Sequence, residues 1–292
     1  MVTMQARLAL LSLPLLLSFV STGTAQRKQA PPVAPAPQLV RITTRHELRR
    51  LAYGGTVTVI GAPAGSVTIE GWSRSEVEIT AEIELHADTE ANLDLLAAIN
   101  NFALDEDMNH LRVMTTGTHD KSFMKSVAKK FPKALLGLPW KIDYRLRVPV
   151  ATDLELTVGR GAFRLSGVEG NIRLSAAETD AKLTLTGGTL SATITAGKLN
   201  LNIPARSWRG VGAEVRLAVG EVTLELPPGF NGDLNADILR AGKITDNYGG
   251  FQPREKPGLT PQVFKARAGA GGAFFQLTVG EGAIKIEKQT AQ

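Results

Sequence analysis

The sequence predicts an all-β fold, a stack of short strands with a small helical insertion, and three observations carry that expectation. A short phrase returns six times in the C-terminal half: a small residue, usually Gly, and then alternating apolar and polar residues. It stands at Thr157-Val158-Gly159, Ala176-Ala177-Glu178, Thr195-Ala196-Gly197, Ala218-Val219-Gly220, Arg240-Ala241-Gly242 and Thr278-Val279-Gly280. The central positions 159, 177, 197, 220, 242 and 280 are separated by 18, 20, 23, 22 and 38 residues, so the last interval holds an insertion. Internal periods of this size build stacked units, none able to bury its apolar face alone. The second observation is period-two alternation within the units, and the third is Gly at the expected corners, where positive φ carries no steric cost.

From the N-terminus, Arg7 precedes an apolar run from Leu8 to Val20 and a polar stretch ending Gly23-Thr24-Ala25. This reads as a signal peptide over residues 1–25, cut after Ala25. An uncleaved anchor is the alternative, but 13 apolar residues containing Pro14 fall short of the roughly 20 that span a bilayer. The mature chain is therefore expected in the periplasm or outside the cell, with no transmembrane segment. Residues 26–38 are rich in Ala, Pro and Gln, with Pro31, Pro32, Pro35 and Pro37, and read as a spacer. Residues 39–292 read as a single domain.

Strand patterns begin at Thr56-Val57-Thr58-Val59 and Ser66-Val67-Thr68-Ile69. The longest alternation follows, with Val77, Ile79, Ala81, Ile83 and Leu85 on one side and Glu76, Glu78, Glu82 and Glu84 on the other. Charges two apart on a strand form a solvated face more often than a catalytic pair. Downstream, Tyr144, Leu146 and Val148 alternate with Arg145 and Arg147. If these two strands pair, Glu meets Arg across the ladder, which fixes register more than it stabilises.

The insertion, about 88–140, carries two helical patterns. The first runs from about Thr89 to Ala103, with Asp88 as N-cap and a stripe of Leu95, Leu96, Ile99, Phe102 and Ala103. The acidic Asp105-Glu106-Asp107 lacks the spaced oxygens and central Gly of a calcium loop and reads as a turn before a strand, His110 to Thr116. In the second pattern Lys121, Lys125, Lys129, Lys130 and Lys133 accompany an apolar stripe that includes Phe123 and Phe131, and Pro132 ends it. A basic amphipathic helix suits anionic lipid or a partner's groove. It equally suits a cap over the open end of a strand stack.

In the repeats, each unit is expected to hold two short strands, as in Ala162 to Ser166 and Asn171 to Ser175 about the turn Gly167-Val168-Glu169-Gly170. Leu165, Leu174, Leu183, Leu185, Ile194, Leu199, Leu201, Leu217, Val222, Leu224 and Leu226 are the expected core. Two loops interrupt the pattern. Arg206-Ser207-Trp208-Arg209-Gly210 sets an aromatic between two cations, a combination able to hold an acidic sugar, while Trp208 alternatively tucks into the stack. Asn247 to Pro261 reads as a Gly- and Pro-rich loop.

The chain resembles the "putative adhesin", toast-rack-like, domains of bacterial secreted proteins. The residues that carry the resemblance are Gly65-Ser66-Val67-Thr68-Ile69-Glu70-Gly71-Trp72 followed by Glu76-Val77-Glu78-Ile79, the phrases Gly170-Asn171-Ile172-Arg173-Leu174 and Gly220-Glu221-Val222-Thr223-Leu224-Glu225-Leu226-Pro227, and Gly280-Glu281-Gly282-Ala283-Ile284-Lys285-Ile286. It spans about residues 54–287. It implies a single-stranded, β-helix-like solenoid with a role in adhesion or envelope-stress sensing, and it supplies no catalytic residues. The Lys-rich segment lies outside the family pattern.

Composition narrows the function. With no Cys, disulfides, thiolate metal sites and a Cys nucleophile are out. Loss of Arg7 with the leader lowers the formal charge of +5 by one, a small excess, and an aromatic content of 5% leaves few stacking platforms for nucleic acid. Asp153, Glu155, Glu169, Glu178, Asp180, Glu214 and Glu221 are scattered, without a glycosidase pair at rung spacing. His46, His86, His110 and His119 stand alone, which argues against a zinc site. The expectation is a noncatalytic binding or scaffolding module without cofactor or metal. Its partners are envelope polysaccharide, peptidoglycan, anionic lipid or an envelope protein. The alternatives are an envelope sensor working through the basic helix 121–133 and a polysaccharide-active β-helix enzyme.

Overall fold

The computed structural model describes residues 39–127, 131–256 and 258–289; the leader and spacer readings lie outside them. Sixteen strands form one sheet, and its centre is made of long strands, not pairs of short ones. β8 (Asp153–Ser166), β9 (Asn171–Thr184), β10 (Gly187–Asn202), β11 (Arg209–Leu226) and β16 (Phe274–Lys288) lie side by side, all parallel. Each bends in its middle. The inward side chains show the bend, because Val158 and Phe163, Ala176 and Ala181, Ile194 and Leu199, Leu217 and Val222, and Val279 and Ile284 are all buried. In a straight strand residues five apart face opposite ways. Here sidedness switches across the bend, so both arms point into one core cluster.

Separate strands extend each arm into a wall. β2 (Thr56–Ile60) pairs with the first arm of β8 and β3 (Val67–Trp72) with its second arm. At the other end β12 (Gly232–Ile238) and β13 (Gly242–Asp246) pair with the first and second arms of β16. The first wall continues through the hairpin of β5 (Asn101–Glu106) and β6 (His110–Thr116), and beyond β12 through β15 (Val263–Ala268) and β14 (Phe251–Pro253). The second wall continues through β7 (Trp140–Pro149), β4 (Glu76–Ala87) and β1 (Leu39–Arg50). Strand order is therefore not chain order: β7 lies between β3 and β4, and β16 between β11 and the β12–β13 pair.

The bend is a backbone contact. Gly197 faces Gly220, and Gly220 faces Gly282. A Cβ on Gly220 would sit 1.8 Å from the Gly197 carbonyl oxygen, and φ there is 141°. Gly alone meets both demands. Thr179 continues the row, its hydroxyl donating to the Gly161 carbonyl at 2.6 Å. The repeat is thus real in space with a shifted register, since residues 161, 179 and 282 occupy the corner in place of 159, 177 and 280.

The eleven repeat residues expected in the core are all buried. Val77, Ile79, Ala81, Ile83 and Leu85 also face inward, and β4 pairs with β7 so that Arg147 reaches Glu78 at 3.2 Å. The insertion is less helical than expected. α1 is Glu90–Ile99, capped by the Thr89 hydroxyl and not by Asp88; Leu93, Leu96 and Ile99 are its buried stripe and Leu95 is exposed. Phe102 and Ala103 belong to β5, so the apolar stripe read as helical there is a strand's alternation. α2 is a single short helix, Lys121–Val127, capped by Asp120, whose carboxylate accepts from the Ser122 and Phe123 amides; a 3₁₀ turn follows at Lys133–Leu135. Residues 247–261 are not wholly loop, since they contain β14.

The two ends of the walls are closed differently. β1, which the sequence pattern did not reveal, turns Arg41, Arg45 and Arg49 toward the core side. Arg41 pairs with Glu90 and Asp94 of α1 at 2.6 and 2.7 Å. Arg45 donates to the Phe102 carbonyl at 2.7 Å and lies 4.2 Å above that ring. The far end is aromatic: Tyr248 and Phe251, then Phe251 and Phe264, meet edge to face at 5.4 Å.

Gly220→Ala is expected to lose more than about 3 kcal/mol in urea unfolding, whereas Gly137→Ala, where a Cβ meets nothing within 4 Å, stays within about 0.5 kcal/mol. Near the far end, the Arg267 guanidinium, 2.8 and 3.1 Å from the buried Asp233 carboxylate, holds it below its usual range. Stability from a depressed carboxyl is present above its unfolded value and lost as pH falls through the folded one. Asp233→Asn should therefore flatten the decline in Tm measured between about pH 5 and about pH 3.

Candidate functional site

Turns from successive units gather on one side, and they build a groove. Tyr53 comes from the turn before β2, Trp72 from the end of β3, and Ser73, Arg74 and Ser75 from the tight turn into β4. Pro149, Val150 and Ala151 form the floor, and Glu169 closes the rim from the β8–β9 turn. The groove encloses about 390 Å³, within the range of small-ligand sites.

Trp72 is fixed as a platform. Its indole nitrogen donates to the Glu76 carbonyl at 2.7 Å, and the Arg74 and Arg147 guanidinium carbons lie 5.1 and 5.9 Å from its ring. Arg147 is held in turn by Glu78 at 3.2 Å and Glu70 at 3.8 Å, so Arg74 is the cation with freedom to meet a ligand. Tyr53 is 93% exposed. Glu169 accepts from the Thr186 hydroxyl at 2.8 Å and pairs with Arg209. A platform, an exposed phenol, a cation and seryl hydroxyls supply ring stacking, a charge partner and hydrogen bonds, the contact set of a sugar.

The residues singled out from sequence scatter. Trp208 is a core residue, donating from its indole nitrogen to the Gly188 carbonyl at 2.9 Å and meeting Phe275 edge to face at 5.5 Å. Its ring offers no open face, so the acidic-sugar site read between Arg206 and Arg209 is not formed. Arg206 is exposed, and Arg209 reaches the groove only through Glu169. Lys121, Lys125 and Lys133 are exposed, Phe123 is half-buried, and Phe131 is half-buried against the core. Lys129 and Lys130 lie outside the described residues.

Most of the acids along the repeats are engaged in ion pairs: Glu155 with Arg173, Glu178 with Arg160, Glu169 with Arg209, Glu214 with Arg216 and Glu221 with Lys285. Among the described residues no group of three or more His, Asp or Glu side chains is placed to share a metal ion, and no helix is long and apolar enough to cross a membrane. The groove escaped sequence reading because its parts come from four turns separated by up to about a hundred residues. Trp72 within the Gly71-Trp72-Ser73-Arg74 phrase was the one available signal.

No protein-family model and no curated protein matches the chain. Solved structures similar to it include a "putative cell adhesion protein" from Clostridium sporogenes, 13% identical with a TM-score of 0.37 over 85% of this chain and 100% of that one. A "putative adhesin" from Bacteroides fragilis is 12% identical, with a TM-score of 0.30 over 84% and 97%. A "putative lipid binding protein" from Parabacteroides distasonis is 11% identical, with a TM-score of 0.24 over 85% and 97%. Several of these similar structures thus carry the adhesin description that the sequence resemblance implied.

Trp208→Ala is expected to cost about 3 to 5 kcal/mol of stability, read by urea denaturation. Acrylamide should quench fluorescence that Trp72→Phe removes and spare the part that Trp208→Phe removes.

Proposed function

We propose that this protein is a noncatalytic, adhesin-like binding module of the bacterial cell envelope. In this reading the Arg7 and Leu8–Val20 leader exports the chain, the Pro-rich spacer sets the domain off from it, and a single domain from residue 39 does the binding. The scaffold is a flattened, β-helix-like solenoid over β8 to β11. Neighbouring residues on β8, β9 and β10 are 18 positions apart, one coil apiece. Envelope polysaccharide or peptidoglycan is the ligand class, taken in the groove. The observation that carries this is Trp72, a half-exposed indole locked by its own hydrogen bond and backed by Arg74 beside an almost fully exposed Tyr53. Most of the repeat acids are engaged in ion pairs, which leans toward binding over hydrolysis.

Co-sedimentation with purified peptidoglycan sacculi and with insoluble envelope polysaccharide tests it. Tyr53→Ala with Trp72→Ala is expected to weaken retention at least tenfold while far-UV dichroism is unchanged. Equal retention by the double variant would overturn the groove as the binding site.

A second reading keeps α2 as a membrane contact, because Lys121 and Lys125 are exposed beside half-buried Phe123 and Met124. Sedimentation with vesicles containing anionic lipid separates the two. If that reading holds, binding vanishes in Lys121→Glu with Lys125→Glu, and the groove variant binds the vesicles like the wild type.

A further inference from the structure

The outer faces of the two walls each carry three long rows of side chains running across the central strands, and one row differs from the rest. At the middle of the second wall Arg145 of β7 faces Thr68 of β3, Thr68 faces Arg164 of β8, and Arg164 faces Lys182 of β9. The row continues through Thr80 and His46 on one side. On the other it runs through Asn200, Thr223, Lys285 and Thr245. It crosses ten strands without an acidic residue.

Each of the other long rows contains acids. The rows flanking it hold Glu78, Glu70 and Glu225 on one side and Glu82, Asp143 and Asp180 on the other. Those of the first wall hold Asp153 and Asp233, Glu155 and Glu214, and Asp237. On the first wall and at the corner Arg173 is neutralised by Glu155 and Arg160 by Glu178. Arg145, Arg164 and Lys182 are all exposed, and none of the three takes part in the ion pairs found among the described residues.

Arg164 directly beside Lys182 is a like-charge pair on adjacent strands, an arrangement that costs stability. A local cost without a structural return marks a functional surface. Strand spacing sets Arg164 and Lys182 about 5 Å apart along the row and Arg145 about 10 Å from Arg164. A line of cations at that pitch, with Thr hydroxyls between, matches a linear polymer that alternates negative charge with hydroxyl groups.

We infer that this row is a track for a linear acidic polysaccharide, its carboxylates on Arg145, Arg164 and Lys182 and its hydroxyls on Thr68 and Thr80. Arg pairs carboxylates in a fixed two-pronged geometry. A single-stranded nucleic acid would need aromatic platforms along the row, and the row has none. A membrane would need an apolar anchor beside the cations, and the row has none of that either. The track rests on reading the protein as a binding module, but it is separate from the groove, from which Glu70, Glu78 and Arg147 divide it.

The test is isothermal titration with soluble polygalacturonate, alongside neutral dextran, vesicles containing anionic lipid, and an oligothymidylate. Wild-type protein is expected to bind polygalacturonate and not dextran, more weakly as salt rises. Arg145→Gln, Arg164→Gln and Lys182→Gln together should reduce that affinity at least tenfold, and Arg164→Gln alone severalfold. A control with the same charge loss on the first wall, Arg173→Gln, Arg216→Gln and Lys265→Gln, should bind like the wild type. Absence of wild-type binding, an equal loss in the control, or tighter binding to vesicles or oligothymidylate overturns the track. Retention on sacculi that depends on Tyr53 and Trp72 reports on the groove separately, so failure of one surface is not mistaken for failure of the other.

Discussion

Backbone-to-backbone contact at the corner is the constraint on which the rest of this protein depends. Where Gly197, Gly220 and Gly282 stack, the space between neighbouring strands is smaller than a methyl group. That close approach lets long parallel strands fold over together. The bend in turn allows residues five apart to share one interior, so each strand contributes to both walls. A straight parallel sheet would bury its two faces only with helices laid on them. This sheet covers itself, and the outward positions of both walls are left to solvent and to ligands.

Closure at the ends follows from the same geometry. A bent stack has two open mouths where the core would meet water. At one, β1 spends arginines on the problem, and Arg45 serves as donor to Phe102 and as a cation over its ring. At the other, Tyr248, Phe251 and Phe264 shut the core with rings, and the Tyr248 hydroxyl accepts from the Phe230 amide at 2.9 Å. The charged end blocks another strand from adding, because its inward cations are already committed to α1 and β5. Exposed Val40 and Ile42 face outward from β1 and stay apart from those contacts.

Much of the interior was legible in the sequence, and the reason is local. Leu183, Leu199 and Leu224 stand in strict alternation, which reports sidedness whatever the strand pairs with. The same signal misled at Phe102 and Ala103, where an apolar spacing compatible with a helix turned out to be a strand. It was silent for β1, whose inward face carries Arg41, Arg45 and Arg49 and shows no apolar period. Strand order was not legible, because nothing local to residues 274–288 indicates that they slot between β11 and β12. The groove was less legible still. Trp208 carried two readings, facing a ligand between its charged neighbours or packed into the stack, and its burial selects the second, while the exposed platform is Trp72.

The placement of β16 bears on how the chain reaches this state. β16 follows both of its partners in the chain, β11 and β12, so the middle of the molecule has a gap until residues 274–288 are made. Everything N-terminal to residue 274 must wait with two strand edges unsatisfied. A shortened chain lacking that strand would lose an interior course of the wall and not an outlying one. For such a topology, delay before folding is built into the order of the residues.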